Sequence, residues 1–173
     1  MRYLVAIGAA VLLLAATAVS NASAETATAE LVNANGKNVG TATLTETPSG
    51  VLIKVELRDM PPGAHAFHIH EAGKCDPPSF KSAGGHFNPT GRKHGIMSME
   101  GKHAGDMPNI HVNKAGRAAF ETLVADVTLG PGKNSLFDED GSSLVIHEKV
   151  DDYKTDPAGN AGDRIACGVI KKE

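Results

Sequence analysis

An all-β domain is predicted for this 173-residue chain by three observations. Apolar and polar residues alternate with period two over short runs. No segment carries the amphipathic period of a helix. The 19 glycines and 9 prolines fall between the runs, as turns do in an antiparallel sandwich or barrel. At 41% hydrophobic and 21% charged residues, the composition is that of one globular domain, with no repeat or low-complexity linker.

The first residues read as a leader. Arg2 is a short positive region, Leu4 to Val19 an apolar run, and Ala22-Ser23-Ala24 a small-residue cleavage site. Residues 1–24 are therefore expected to be a cleaved export signal, and residues 25–173 a single domain in a bacterial periplasm or outside the cell. The apolar run is too short for a membrane span and no stop-transfer charges follow it, so no stable membrane insertion is expected after cleavage. Arg2 is the only charged residue of the leader, so its removal shifts the formal net charge from −3 to −4. A negative charge without a basic stripe excludes nucleic acid as a partner.

Eight strands are expected in order. Thr26 to Val32 leads into Asn33-Ala34-Asn35-Gly36, a hairpin signal. Val39 to Thr47 turns at Pro48-Ser49-Gly50. Val51 to Leu57 places Val51, Ile53, Val55 and Leu57 on one face and Lys54 and Glu56 on the other. Pro61-Pro62-Gly63 introduces a strand through His70. Asn109 to Val112, Ala118 to Val124, Ser143 to His147 and Arg164 to Ile170 complete the set, with irregular stretches before the last two.

Six of the eight histidines lie between His65 and Asp106, a clustering that solvated surface residues do not show. His68 and His70 form an H-x-H pair within an alternating run. Side chains two apart on a strand share a face, roughly 6.5–7 Å from one another, and one ion can bridge them at about 2.0–2.1 Å per nitrogen. Phe67 and Ile69 then face a core, which leaves the metal on the outside of the sheet, at its surface. His86, His94, His103 and Asp106 follow in a Gly-, Lys- and Pro-rich segment. A loop that long needs a reason to be ordered, and three imidazoles with one carboxylate closing on zinc supply it. His147 ends the apolar strand Leu144–His147. Joined to His68 and His70 it makes three imidazoles, and a loop histidine binding through both ring nitrogens makes a fourth. Four nitrogens in a tetragonal set suit copper. A redox metal beside an inert one points to electron transfer with a small diffusible substrate. Cys75 and Cys167, the only cysteines, are expected to be disulfide-bonded in an oxidising compartment.

The motifs HAFHIHEAG, AGGHFNPTGRKHG, KHAGDMPN, LVIHEKVDD and GNAGDRIACGVI resemble those of the Cu,Zn superoxide dismutase family, in order and at its spacings. The resemblance covers essentially all of the chain after the leader. It implies an eight-stranded antiparallel Greek-key β-barrel with long metal-binding and active-site loops. It implies one copper ion per subunit on His68, His70, His86 and His147, and one zinc ion on His86, His94, His103 and Asp106, with His86 shared. Asp151 matches the family aspartate that links a copper ligand to a zinc ligand, Arg164 the arginine beside the copper, and Cys75 and Cys167 the family disulfide. The implied reaction is disproportionation of superoxide to dioxygen and hydrogen peroxide. Departures follow the bacterial exported branch: the loop from His147 to Arg164 is short and lacks the Glu-Glu…Lys cluster of eukaryotic members. Ala158 replaces a family threonine, and Pro77-Pro78-Ser79-Phe80 lengthens the loop after Cys75. These leave homodimer and monomer both open.

Other candidates have plainer readings. His65 shares strand parity with Phe67, so a hydrogen-bonded structural histidine is expected, and His111 is expected on a strand surface. Met97 and Met99 read as packed or exposed thioethers rather than ligands, and Asp138-Glu139-Asp140-Gly141 as a solvated acidic turn without the later ligands of a calcium loop. The alternative function is a non-catalytic copper-binding or buffering protein of the cell envelope, which needs neither the zinc set nor Arg164. A copper-only relative lacks the zinc histidines. A zinc hydrolase requires an open position that four protein ligands would close.

Overall fold

The computed structural model describes residues 24–173; apart from Ala24, the expected leader lies outside the described residues. Each of the eight expected strands forms; the run through His70 comes in two pieces, and a further two-residue strand follows Ile170. The strands are β1 (Thr26–Asn33), β2 (Asn38–Thr47), β3 (Gly50–Leu57), β4 (Gly63–His65), β5 (Phe67–His70), β6 (Ile110–Val112), β7 (Ala118–Val124), β8 (Ser143–His147), β9 (Arg164–Val169) and β10 (Lys171–Lys172). The run through His70 breaks at Ala66 because its N–H donates to the Lys149 carbonyl and its own carbonyl accepts from His147 N–H, outside the ladder. Past Val169, Ile170 N–H donates to Ser142, and Lys171 and Lys172 pair with Thr28 and Ala27 of β1.

Every strand pairing is antiparallel. The main sheet runs β5-β8-β9-β1-β2-β3-β7, while β4 pairs with β6 in a separate ribbon. That ribbon lies between the two ends of the sheet in chain order, since β4 leads into β5 and β6 turns into β7. The links from β3 to β5 and from β7 to β8 join strands that are not neighbours, which is the Greek-key pattern. The hairpin turns form where the small polar residues place them: Gly36 N–H donates to the Asn33 carbonyl and Gly116 N–H to the Asn113 carbonyl.

Alternation on β3 buries Val51, Ile53, Val55 and Leu57 and exposes Lys54 and Glu56, as expected. Leu31, Leu44, Ile69, Leu144 and Ile146 fill the interior with them, and Phe67 meets Phe120 edge to face at 5.5 Å. β5 and β8 are adjacent and buried on both faces. Their outer faces carry His68, His70, Val145 and His147. Here the expectation of a surface metal is corrected: His68 is 0% and His70 1% exposed. The histidines do point away from the apolar core, but residues 71–109 and 148–163 fold over them. Their cover includes a second, smaller core of Phe80, Ala83, Val145 and Cys167, with Val32 and Cys75 against it.

The Cys75–Cys167 disulfide forms, spanning 92 positions. It fastens the first covering loop to β9 beside that second core. Among the described residues no helix is long and apolar enough to cross a membrane. Closing a loop of this size removes about 4–5 kcal/mol of unfolded-state entropy in the chain-entropy treatment. Cys167→Ser should therefore lower the melting midpoint by on the order of 10 °C for a domain of this size. Calorimetry of the oxidised protein and the variant checks this; equal midpoints would mean that packing alone holds the loop.

Candidate metal centre

The ligand loop lies on the barrel as a pseudo-strand. Ile69 N–H donates to the Gly105 carbonyl and its own carbonyl accepts from Phe87 N–H, while Gly105 N–H donates to the Phe87 carbonyl. Residue 105 must be glycine for this approach, since a β-carbon there would collide with the Ile69 carbonyl. The contact sets His86 beside His70. His147 enters from β8, at a register shift after Ile146.

Two groups of four converge. His68, His70, His86 and His147 form one, and His86, His94, His103 and Asp106 the other, with the candidate ligand atoms in each within 4.8 Å of one another. His86 belongs to both. His70 Nε2 and His147 Nε2 face each other at 3.4 Å, as do His86 Nδ1 and His103 Nδ1. Two imidazole nitrogens turned together in a buried site call for a shared cation. His68 Nδ1 and His86 Nε2 are buried with no hydrogen-bond partner among the described residues. Such orphaned nitrogens are rare inside proteins, and both belong to the first group. The donor sets therefore fit metals: four imidazoles in one group, three imidazoles and a carboxylate in the other.

The nitrogens turned away from these clusters are occupied. His70 Nδ1–H donates to the Gly84 carbonyl (3.0 Å) and His147 Nδ1–H to that of Gly162 (3.4 Å). Asp151 accepts His68 Nε2–H on Oδ2 and His94 Nε2–H on Oδ1, each at 2.9 Å. These partners fix ring orientation and tautomer. Asp106 Oδ2 accepts the backbone N–H of Gly95 and of His103, while Oδ1 lies 2.9 Å from His86 Nδ1 and 3.0 Å from His94 Nδ1.

The electrostatics divide the two groups. Burial pushes His86 down to about 4, against its hydrogen bond to Asp106, and pushes His147 down to about 3, helped by His68. Burial also lowers His68 and His70. These rings are neutral at pH 7, with lone pairs available to an ion. His94 is opposite: burial disfavours its charge, but hydrogen bonds to Asp106 and Asp151 outweigh it and raise the group to about 9. Asp106 and Asp151 lie well below the usual carboxylate range despite burial, because imidazoles donate to both.

Arg164, at the start of β9, is half-buried. Its Nη1–H donates to the Phe80 carbonyl and its Nη2–H to that of Gly84, each at 2.6 Å. The Gly84 carbonyl is the one that His70 uses. Arg164 also lines an open cleft of about 570 Å³ with Pro78, Ser79, Lys81, Gly162 and Asp163.

Four supporting residues had no signal in the sequence. Asn109 clamps Asp151 by accepting its N–H on Oδ1 (2.8 Å) and donating Nδ2–H to its carbonyl (2.9 Å). The Tyr153 hydroxyl accepts Asn109 N–H, and Asp156 accepts His94 N–H. Glu71 Oε1 accepts Gly85 N–H at 2.8 Å. An asparagine or tyrosine in a loop looks like any turn residue until its partner is known. The plainer readings hold: His65 lies 2.9 Å from the His147 and Pro61 carbonyls, while His111 is exposed. Met97, Met99 and Asp138, Glu139 and Asp140 are exposed too.

The sequence pattern of the copper/zinc superoxide dismutases matches residues 38–170. Cu-Zn superoxide dismutase 1 of Aquifex aeolicus is 61% identical over 145 residues, covering 83% of this chain and 86% of the relative. Cu-Zn superoxide dismutase of Caulobacter vibrioides is 46% identical over 148 residues, covering 84% and 85%. Among solved structures, a superoxide-dismutase-like protein from Bacillus subtilis superposes with TM-score 0.80 at 41% identity, over 82% of this chain and 96% of that one. Cu/Zn superoxide dismutase from Brucella abortus superposes with TM-score 0.70 at 31% identity, over 84% and 99%. The chain belongs to the copper/zinc superoxide dismutase family.

Asp151 joins a histidine of each group, so its loss should act on both. Asp151→Ala is expected to weaken zinc binding about 10- to 100-fold, the usual effect of removing a ligand's supporting partner. Chelator competition with metal counting measures it. Unchanged zinc affinity would mean that the ligands hold their orientation alone.

Proposed function

We propose that this protein is an exported superoxide dismutase in which His68, His70, His86 and His147 hold copper, and His86, His94, His103 and Asp106 hold zinc. Two superoxide anions and two protons yield dioxygen and hydrogen peroxide. The observation that carries the reading is the membership of His86 in both buried groups: six histidines and one aspartate supply two four-ligand sites only if one ligand counts twice. When bound, copper supplies the one-electron oxidation and reduction, and zinc fixes the shared ring and tunes its basicity.

The chain supplies the rest. His70 and His147 are held as Nδ1–H tautomers, which turns both Nε2 lone pairs inward. His86 Nε2 has no protein partner, so it can take a proton there and give it to the peroxide product. Arg164 draws the anion: a guanidinium stays charged at working pH and offers two parallel donors. Its carbonyl partners fix it in place, and a fixed cation beside the reacting centre focuses a small anion even where the net charge repels it. A copper-buffering protein would need neither the second group nor Arg164.

Metal-replete protein should disproportionate superoxide in pulse radiolysis. His86→Ala should disturb both metals and abolish this activity, while His94→Ala should mainly loosen zinc. Full, spectroscopically normal copper in the His86 variant would remove the shared ligand from the scheme.

Export rests on the leader and agrees with a disulfide, which persists in oxidising compartments. Protein recovered from the periplasm of a bacterial host should begin near Glu25 by N-terminal sequencing. An intact Met1 on the recovered protein would refute cleavage.

A further inference from the structure

The chain reaches His86 through Gly84 and Gly85, and one side chain holds that turn. Glu71 N–H donates to the Gly85 carbonyl (3.0 Å), and Glu71 Oε1 accepts Gly85 N–H (2.8 Å), so both backbone polar groups of Gly85 are tied to one residue. The same side chain lies against Gly84. There φ is +74°, a conformation that favours glycine, and a β-carbon would sit 2.7 Å from Glu71 Cγ and Oε1 and push that side chain aside. The Gly84 carbonyl in turn accepts both His70 Nδ1–H and Arg164 Nη2–H. A copper-side imidazole, the shared imidazole and the anion-drawing cation thus all meet on the turn that Glu71 grips.

Glu71 also carries charge. It is exposed and its side chain lies against Gly84, whose carbonyl accepts Arg164 Nη2–H. A negative group there works against the field that Arg164 offers an incoming anion.

Building on the dismutase reading, we propose that Glu71 is a positioning residue with two separable effects. As a hydrogen-bond acceptor it sets the Gly84–Gly85 turn, and with it the placement of His86 beside His70. As a charge it damps attraction of the anionic substrate, at the gain of a rigid turn. One unit charge at ~8 Å in a water-like dielectric changes local anion concentration about twofold. The electrostatic effect is therefore modest but measurable.

Two conservative variants separate the effects. Glu71→Gln keeps the acceptor and removes the charge; Glu71→Asp keeps the charge and falls one methylene short of Gly85. On metal-replete protein, Glu71→Gln should retain the wild-type copper EPR spectrum and chelator-release rate. Its superoxide rate should rise about twofold at low ionic strength and fall more steeply as salt is added. Glu71→Asp should keep the wild-type salt slope, alter the EPR spectrum and lose metal to chelator severalfold faster. The proposal is overturned if both variants match wild type in spectrum, release and slope. It is equally overturned if Glu71→Gln perturbs the spectrum as much as Glu71→Asp does while leaving the slope unchanged. Wild type serves as the control for the reading beneath: a metal-replete wild type without dismutase activity sinks that reading, and metal release still tests the acceptor role. An active wild type with unresponsive variants sinks the role of Glu71 alone.

Discussion

The tie between Asp151, His68 and His94 is the interaction on which the rest of this structure depends. One buried carboxylate accepts a hydrogen bond from a barrel histidine and from a loop histidine, each at 2.9 Å. Because it sits on the second covering loop, it joins three separate parts of the chain at one point. Two imidazoles share its charge, so burial costs less than it would for a lone carboxylate. Asn109, just before β6, and the Tyr153 N–H, from its own loop, anchor it. Remove that junction and the loops lose their common attachment above β5 and β8.

Burial then explains the chemistry. A cluster of imidazoles in a dry site is unfavourable when charged, which leaves His68, His70, His86 and His147 neutral. Neutral rings with their outer nitrogens already bonded have one lone pair to offer, and they offer it inward. On the other side, Asp106 and Asp151 hold His94 in the protonated state until an ion replaces the proton. The same fold thus presents a set of neutral nitrogens and a mixed set that includes a carboxylate, joined by His86. That contrast separates copper-type from zinc-type coordination without any difference in the barrel beneath.

The loops are ordered by several weak devices acting together. The disulfide fastens one of them to β9. Phe80 and Ala83 give it a small core of its own against Val145 and Cys167. Arg164 spans from β9 to two of its carbonyls, so the residue proposed to draw the substrate also braces the loop beside it. Long loops without secondary structure are uncommon in compact domains. Here Cys75 is bonded to Cys167 of β9 and Asp151 accepts from His68 of β5, so each covering loop has a side chain held by the barrel.

How much was legible depended on the range over which each signal acts. Strand alternation and turn residues are local, so the eight strands and the inward faces of Val51, Ile53, Phe67 and Ile69 could be read from order alone. The histidine set was legible because its residue types are chemically rare and closely spaced. Its resemblance to a known family supplied the barrel and the partner for each ligand. Tertiary structure alone decided the rest. It buried the metal face that alternation had placed at the surface, because strand parity reports direction and not what lies above it. It broke the His65–His70 run at Ala66, where the backbone hydrogen bonds go to His147 and Lys149. It recruited Glu71, Asn109, Tyr153 and Asp156, ordinary polar residues whose roles come from partners up to 62 positions away. A residue's own chemistry is written in the sequence, but its hydrogen-bond partner across the fold is not.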